Sequence, residues 1–171
     1  MKFVFVLFQN KIRFHINQLF FAESWQIARF EQSFTALKDK SFPHASYISQ
    51  SQSESYCADP FLWPDAMVKK HLFEYYTYNN SRGKIAMADN DGKNFKILDF
   101  GSHHHMSYPF LFAYNTQVYC LPEQAEEGSV VLYTINENGE VQRDFVLIEN
   151  FAARDASLVF YNQKWWLFCT K

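Results

Sequence analysis

Two aspartates and a tyrosine occupy the same point of a motif that recurs along the chain. Asp59 opens the run Asp-Pro-Phe-Leu-Trp, Tyr108 opens Tyr-Pro-Phe-Leu-Phe, and Asp155 opens Asp-Ala-Ser-Leu-Val. Carboxylates that converge on one point can cleave a glycosidic bond, one as base or nucleophile and another group as acid. The alternative is structural, because an Asp before a strand often accepts backbone N–H bonds in a turn.

Two glutamates match across the same repeat, and a histidine run precedes its second copy. Glu74 and Glu123 each lie at the end of the second apolar run of their copy. A buried Glu has a raised pKa and can act as general acid, while the alternative is a structural bond between repeats. Neighbouring side chains on a strand point to opposite faces, so His103, His104 and His105 predict no metal site. We expect His105, the one nearest the repeat, to reach the site.

The elements that would position these residues are short strands joined by turns. Turn signals stand at 89–92 and 138–139, and the motif returns at intervals of about 50 residues, as in β-propeller blades. An all-β fold is therefore expected, a partial propeller with about two and a half to three blades visible. The predicted strands are 3–8, 12–16, 58–63, 71–76, 83–88, 95–100, 107–112, 119–123, 129–135, 141–148, 154–160 and 164–169.

The repeat begins only in the second third of the chain. Residues 1–56 are expected to hold N-terminal strands and a polar loop that lead into the propeller, and 57–171 its blades. Propellers usually have four to eight blades, so the visible repeats predict a ring cut short at its C-terminus. The aromatic edge at 165–169 would then pair with missing blades or with a second copy of the chain.

Composition excludes several classes of function. The 171 residues include 16 Lys and Arg against 18 Asp and Glu, and no basic stripe indicates a nucleic-acid partner. No apolar run is long enough for membrane insertion, and the run at 1–8 predicts a strand rather than a signal peptide. Cys57, Cys120 and Cys169 are odd in number and widely spaced, which favours reduced thiols in a cytoplasmic protein. No GxGxxG, P-loop, GxSxG or HExxH motif occurs, and we expect no cofactor.

Several segments together resemble a known group of five-bladed β-propellers. Residues 58–63 with 71–74 are similar to the first blade of arabinanase/xylosidase-type glycosidases. The chain from residue 17 onward more closely resembles the propeller domain that precedes the glycosyltransferase of glucosamine inositolphosphorylceramide transferases. The segments that carry this closer resemblance are 17–25, 107–112, 119–123, 155–157 and 165–168.

The resemblance implies roles for the repeated positions. Asp59 matches the general base of the glycosidases, Tyr108 stands where they have an Asp that tunes the acid, and Asp155 stands where they have the acid Glu. The leading hypothesis is a carbohydrate-binding propeller domain of glycan biosynthesis, in which Tyr108, His105 and Glu74 help to bind the sugar. If the chain is an enzyme, a glycosidase that uses Asp59, Asp155 and Glu123 is expected. A further alternative is an inactive fragment or an interaction module.

Overall fold

Antiparallel β-sheet makes up nearly all the regular structure in the computed structural model, which describes residues 24–29, 46–48 and 54–171. A two-stranded sheet comes first, followed by two four-stranded meanders, called blade 1 and blade 2 here, and a hairpin. The two-stranded sheet consists of β1 (Ile27–Arg29) and β2 (Ser46–Ile48). Blade 1 consists of β3 (Ser55–Leu62), β4 (Lys70–Thr77), β5 (Arg82–Asp89) and β6 (Lys96–Ile97). Blade 2 consists of β7 (Ser107–Tyr114), β8 (Gln117–Glu123), β9 (Val130–Ile135) and β10 (Val141–Ile148), with a short 3-10 helix at Ala125–Glu127. The hairpin consists of β11 (Arg154–Tyr161) and β12 (Lys164–Thr170).

The predicted all-β fold class is confirmed, with the sheets of a partial propeller. Each blade is a meander in which every strand pairs with the next one along the chain. The first strands of the three units lie side by side, because β3 contacts β7 and β7 contacts β11. We therefore call β3, β7 and β11 the inner strands.

The structure refines two details of the strand prediction. Residues 38–56 were expected to form a loop or a poorly placed strand, and Ser46–Ile48 is a strand whose buried Ile48 packs in one cluster with Ile27 and Phe73. The fourth strand of blade 1 is shorter than the predicted 95–100. It ends early because Phe100 is buried against the ring of Tyr133 in blade 2, with ring centroids 4.9 Å apart. The strands predicted at 3–8 and 12–16 lie outside the described residues.

Both faces of a blade are buried, which explains the aromatic-rich strands. In β4, Leu72 packs toward blade 2 while the adjacent Phe73 packs toward β1 and β2. In β9, Tyr133 packs toward blade 1 while Leu132 packs toward the hairpin. Successive side chains on a strand point to opposite faces, so a strand between two packed layers needs apolar residues at nearly every position.

The turn between β9 and β10 fixes blade 2 against blade 1. Gly139 has a φ of 73°, and a Cβ at this position would lie 2.7 Å from Leu98 Cδ2. Only glycine combines that backbone conformation with so close an approach. Lys96 Nζ also donates to the carbonyl oxygen of Asn138 at 3.1 Å. The packing of blade 2 against the outer strands of blade 1 therefore depends on this turn.

Candidate functional site

Each inner strand has an irregularity at the position that the sequence repeat singles out. The pairing register shifts between Ala58 and Phe61, between Ser107 and Phe110, and between Arg154 and Ser157. The bulged residues are Asp59, Tyr108 and Asp155, with φ values of 50°, 45° and 51°. Positive φ is uncommon outside glycine, and bulges often lie beside functional sites, where they redirect a side chain.

The bulges release backbone N–H groups that hold carboxylates of the preceding blade. The N–H of Tyr108 bonds to the carboxylate of Asp59, and the N–H of Asp155 donates to Glu123 Oε2 at 3.1 Å. A backbone N–H bond to a carboxylate thus joins blade 1 to blade 2 and blade 2 to the hairpin, although the carboxylate is on the inner strand β3 in the first case and on β8 in the second. The bond from the Asp155 N–H to Glu123 is the bond between repeats that a structural role of Glu123 requires.

Glu74 is a buried carboxyl group within a field of like charges. It is 5% exposed, and its Oε1 has no hydrogen-bond partner among the described residues. Burial raises the pKa of Glu74 from 4.5 to about 7, and the nearby negative charges of Asp59 and Glu123 add to the increase. A carboxyl group with such a pKa exchanges its proton near neutral pH, as a general acid must.

Among the three histidines, His105 lies beside Glu74. Its Nδ1 accepts the N–H of Gly83 at 2.9 Å, so the proton of the neutral ring is on Nε2, 3.7 Å from Glu74 Oε1. His104 contacts Glu126 at 3.2 Å on the exposed surface, away from Glu74. No group of three or more His, Cys, Asp and Glu side chains in the described segments is arranged to hold a metal ion.

Gly83 makes room for the Glu74 side chain. A Cβ at this position would lie 2.9 Å from Glu74 Cγ and 2.7 Å from the carbonyl oxygen of Met106, and it would overlap Glu74 Oε1. Met106 cannot retreat easily, because its own N–H donates to the Gly83 carbonyl at 3.0 Å. Nothing in the sequence identified Gly83, since its role depends on a contact between β4 and β5.

Tyr108 connects all three inner strands. Its ring packs edge-on against Phe61 of β3, with centroids 4.9 Å apart, and its hydroxyl lies 3.1 Å from Ser157 Oγ on β11. Burial raises the pKa of Asp59, the Tyr108 N–H lowers it, and the charge of Asp155 raises it again. The structure therefore brings all six predicted site residues into one cluster: Asp59, Glu74, His105, Tyr108, Glu123 and Asp155.

The cluster borders a cleft of about 460 Å³ with aromatic walls, called the inner cleft below. Asp59 and Glu74 line it together with Trp25 and Tyr56. The Trp25 side chain is 58% exposed, and Tyr56 stacks on Tyr76 with centroids 4.7 Å apart. Sequence reasoning gave these aromatics no site role, although Tyr56 and Tyr76 face each other across the β3–β4 pair.

A second, larger hollow of about 600 Å³ lies at the far end of β4 and β5. It contains none of the predicted site residues. Its lining mixes both signs of charge, with basic Arg29, Lys69 and Lys70 and acidic Asp89 and Asp91.

Comparison with known proteins identifies the family. Residues 8–171 match the family described as "Glucosamine inositolphosphorylceramide transferase 1, N-terminal". This chain belongs to that family. Proteins named glucosamine inositolphosphorylceramide transferase 1 from Oryza sativa subsp. indica and subsp. japonica are each 31% identical to it over 121 residues. The protein of that name from Arabidopsis thaliana is 30% identical over 93 residues. No solved structure matches the chain.

The aligned regions are a small part of each relative. They cover 68% of this chain and 16% of each rice protein, and 52% of this chain and 12% of the Arabidopsis protein. The chain thus corresponds to the N-terminal domain named by the family, as the resemblance predicted. The wider relation to arabinanase/xylosidase-type propellers, with five blades, stays a prediction.

The side chains that line the inner cleft of this domain suit a polyhydroxylated ligand. Carboxylates accept hydrogen bonds from hydroxyl groups, and the exposed ring of Trp25 suits the C–H face of a sugar ring. None of the helices within 24–29, 46–48 and 54–171 has the length and apolarity needed to span a membrane.

Proposed function

We propose that this chain is a carbohydrate-binding propeller domain of glycan biosynthesis, and that the sugar binds in the inner cleft. The observation that carries the proposal is the convergence of carboxyl groups from both blades beside two aromatic side chains. Membership of a family named for a glucosamine-transferring protein supports the link to glycan assembly. A concave site with an aromatic wall and a few oriented polar groups is what a small polar ligand requires.

The roles of individual residues follow from their contacts. Asp59 is half-buried and held by the Tyr108 N–H, so its free acceptor positions have a fixed direction. Trp25 lines the same cleft and is exposed, so a sugar ring can stack on it. Tyr108 orients Asp59 through its backbone, and its own hydroxyl is held by Ser157.

Asp59→Asn tests this assignment. The Asn carbonyl oxygen can still accept the Tyr108 N–H, so we expect a normal melting curve. Replacing a charged acceptor with a neutral one should weaken sugar binding about tenfold, since hydrogen bonds to charged groups are the stronger ones. Isothermal titration calorimetry with a panel of monosaccharide methyl glycosides measures the change, and Glu149→Gln, an exposed charge outside the cleft, is the matched control. Unchanged affinity in the Asn variant, or no binding of any sugar by the native chain, contradicts the proposal.

A second candidate function is glycoside hydrolysis, and the raised pKa of Glu74 favours it. In this scheme Asp59 acts as base or nucleophile and Glu74 as general acid. Activity on aryl glycosides should then decline as pH rises through about 7, because Glu74 must be protonated to act as the acid. Loss of activity in both Glu74→Gln and Asp59→Asn would support hydrolysis. Sugar binding without turnover would leave the binding function alone.

A further inference from the structure

A separate cleft of about 430 Å³ lies where the turn between β4 and β5 meets the linker that enters blade 2. Within the described part of the chain, every residue that lines it is polar, and none is Asp or Glu. Its basic side chains are Arg82 and Lys84 on β5, together with His103 and His104 of the linker. We call it the cationic cleft, and it shares no lining residue with the inner cleft.

Arg82 is held at the wall of the cationic cleft. Its Nη1 donates to the carbonyl oxygen of His103 at 2.7 Å, which ties the start of β5 to the linker. The side chain forms no ion pair with a carboxylate of the described residues. Because Arg82 is exposed and one end of its guanidinium is anchored, the other N–H groups of this planar fork are oriented and available to a ligand.

Lys84 is a second cation without a partner. It lies two residues after Arg82 on β5, so both side chains leave the same face of the strand. Its exposed Nζ makes no hydrogen bond or ion pair within 24–29, 46–48 and 54–171. Thr77, the cross-strand partner of Arg82, adds a hydroxyl donor to the lining. The Ser102 hydroxyl accepts the N–H of His104 at 3.1 Å, so its own hydrogen can be donated to a ligand.

The carboxylates around the cationic cleft already have donors of their own. Glu54 accepts a hydrogen bond from Asn79 at 2.9 Å, and Glu126 lies 3.2 Å from the ring of His104. Asp99 accepts a backbone N–H at 2.8 Å. None of these three carboxylates forms an ion pair with either cation of β5. The cleft therefore keeps two permanent positive charges that no side chain of the described residues neutralises.

We infer that the cationic cleft binds a terminal phosphate group, as inorganic phosphate or as the phosphate of a monoester. Such a group carries nearly two negative charges at neutral pH and presents three strong acceptor oxygens. Its charge matches the two unpaired cations, since Arg82 can contact two oxygens at once and Lys84 acts as a point charge. A phosphodiester or a carboxylate offers one charge only. No covalent bond changes on binding, and the inference is independent of the sugar proposed for the inner cleft.

Calorimetry on the whole chain at pH 7.5 tests the inference with inorganic phosphate, methyl phosphate, dimethyl phosphate and acetate. The first two should bind saturably, and about tenfold more tightly than the two singly charged ligands, because they carry the second charge. Arg82→Gln and Lys84→Gln should each weaken phosphate binding about tenfold, since each removes a charge-assisted hydrogen bond. Lys164→Gln is the matched control, because it makes the same change in net charge at an exposed position of the hairpin and should leave the affinity unchanged.

The ligand series also identifies the source of the phosphate. Tighter binding of methyl phosphate indicates a monoester, tighter binding of inorganic phosphate indicates the free ion, and both results support the inference. Equal affinity for dimethyl phosphate, an equal loss in Lys164→Gln, or no saturable phosphate binding by the native chain overturns it. Should Arg82→Gln not fold, Lys84→Gln decides, because its Nζ holds no other described group. Sugar binding in the inner cleft is measured with different ligands and stands or falls separately.

Discussion

Replacing Glu74 with Gln should make this domain more stable above neutral pH. In the unfolded chain Glu74 ionises near its ordinary pKa of 4.5, whereas in the folded chain its pKa is about 7. Between these values the folded state binds more protons than the unfolded state, so the free energy of unfolding falls as pH rises. One pKa unit corresponds to about 1.36 kcal/mol, and the loss is therefore about 3 kcal/mol once pH exceeds 7.

Chemical denaturation at pH 5 and pH 8 measures this effect. Gln keeps the shape of the side chain and has no charge to bury, so the variant should not lose this free energy. We expect the stability difference between variant and native chain to move by about 2.5 kcal/mol in favour of Gln between the two pH values, because at pH 5 a small part of the loss has already occurred. For a domain of this size that corresponds to a melting temperature shift of about 5–10 °C. His71 also titrates abnormally, but it is present in both proteins and cancels in the difference.

The reasoning has a clear point of failure. A stability difference that is the same at pH 5 and pH 8 would mean that Glu74 is not buried among like charges, and the acidic cluster would be misassigned. Glu149→Gln removes an exposed carboxylate and should change neither value. A pH effect of equal size in that control would show that net charge, rather than burial of Glu74, causes the change.

Three further changes test other contacts of the site. Gly83→Ala should lower the free energy of unfolding by about 1–3 kcal/mol in denaturant titrations, because its Cβ overpacks a carboxyl group and a backbone carbonyl. Tyr108→Phe should cost about 1 kcal/mol in the same assay, since it removes the hydroxyl bond to the β11–β12 hairpin. Cys169 should react with a thiol reagent before Cys120, whose pKa is raised by complete burial, and mass spectrometry of the labelled folded chain gives the order.

The repeat was visible in the sequence because the local signals agreed with the fold. The turn at 89–92 and the strand β10 (Val141–Ile148) appear in the structure where the pattern predicted them. The three bulged positions were found by comparing copies of the motif, since Asp59, Tyr108 and Asp155 stand in register. This comparison of copies works because each blade is the same unit of strands and packs against its neighbours in the same way.

What sequence reasoning missed depends on contacts between blades. Trp25 lies more than 30 residues before Asp59, and nothing in its surroundings indicates that it lines the same cleft. The function of Gly83 follows from the position of Glu74 on the neighbouring strand, which strand patterning does not specify. The short strand β2 (Ser46–Ile48) buries little beyond Ile48, so it lacks the alternation by which strands are found.

Strain and site formation are coupled in this fold. Positive φ at a residue other than glycine costs about 1–3 kcal/mol, and the inner strands adopt it at Asp59, Tyr108 and Asp155 alike. At Tyr108 and Asp155 the bulge frees an N–H that binds a carboxylate of the preceding blade. The strained backbone is thus stabilised only when neighbouring blades have packed. By linkage, a ligand that binds Asp59 in its held position stabilises the contact between blade 1 and blade 2, so a carbohydrate that fills the inner cleft should also raise the melting temperature.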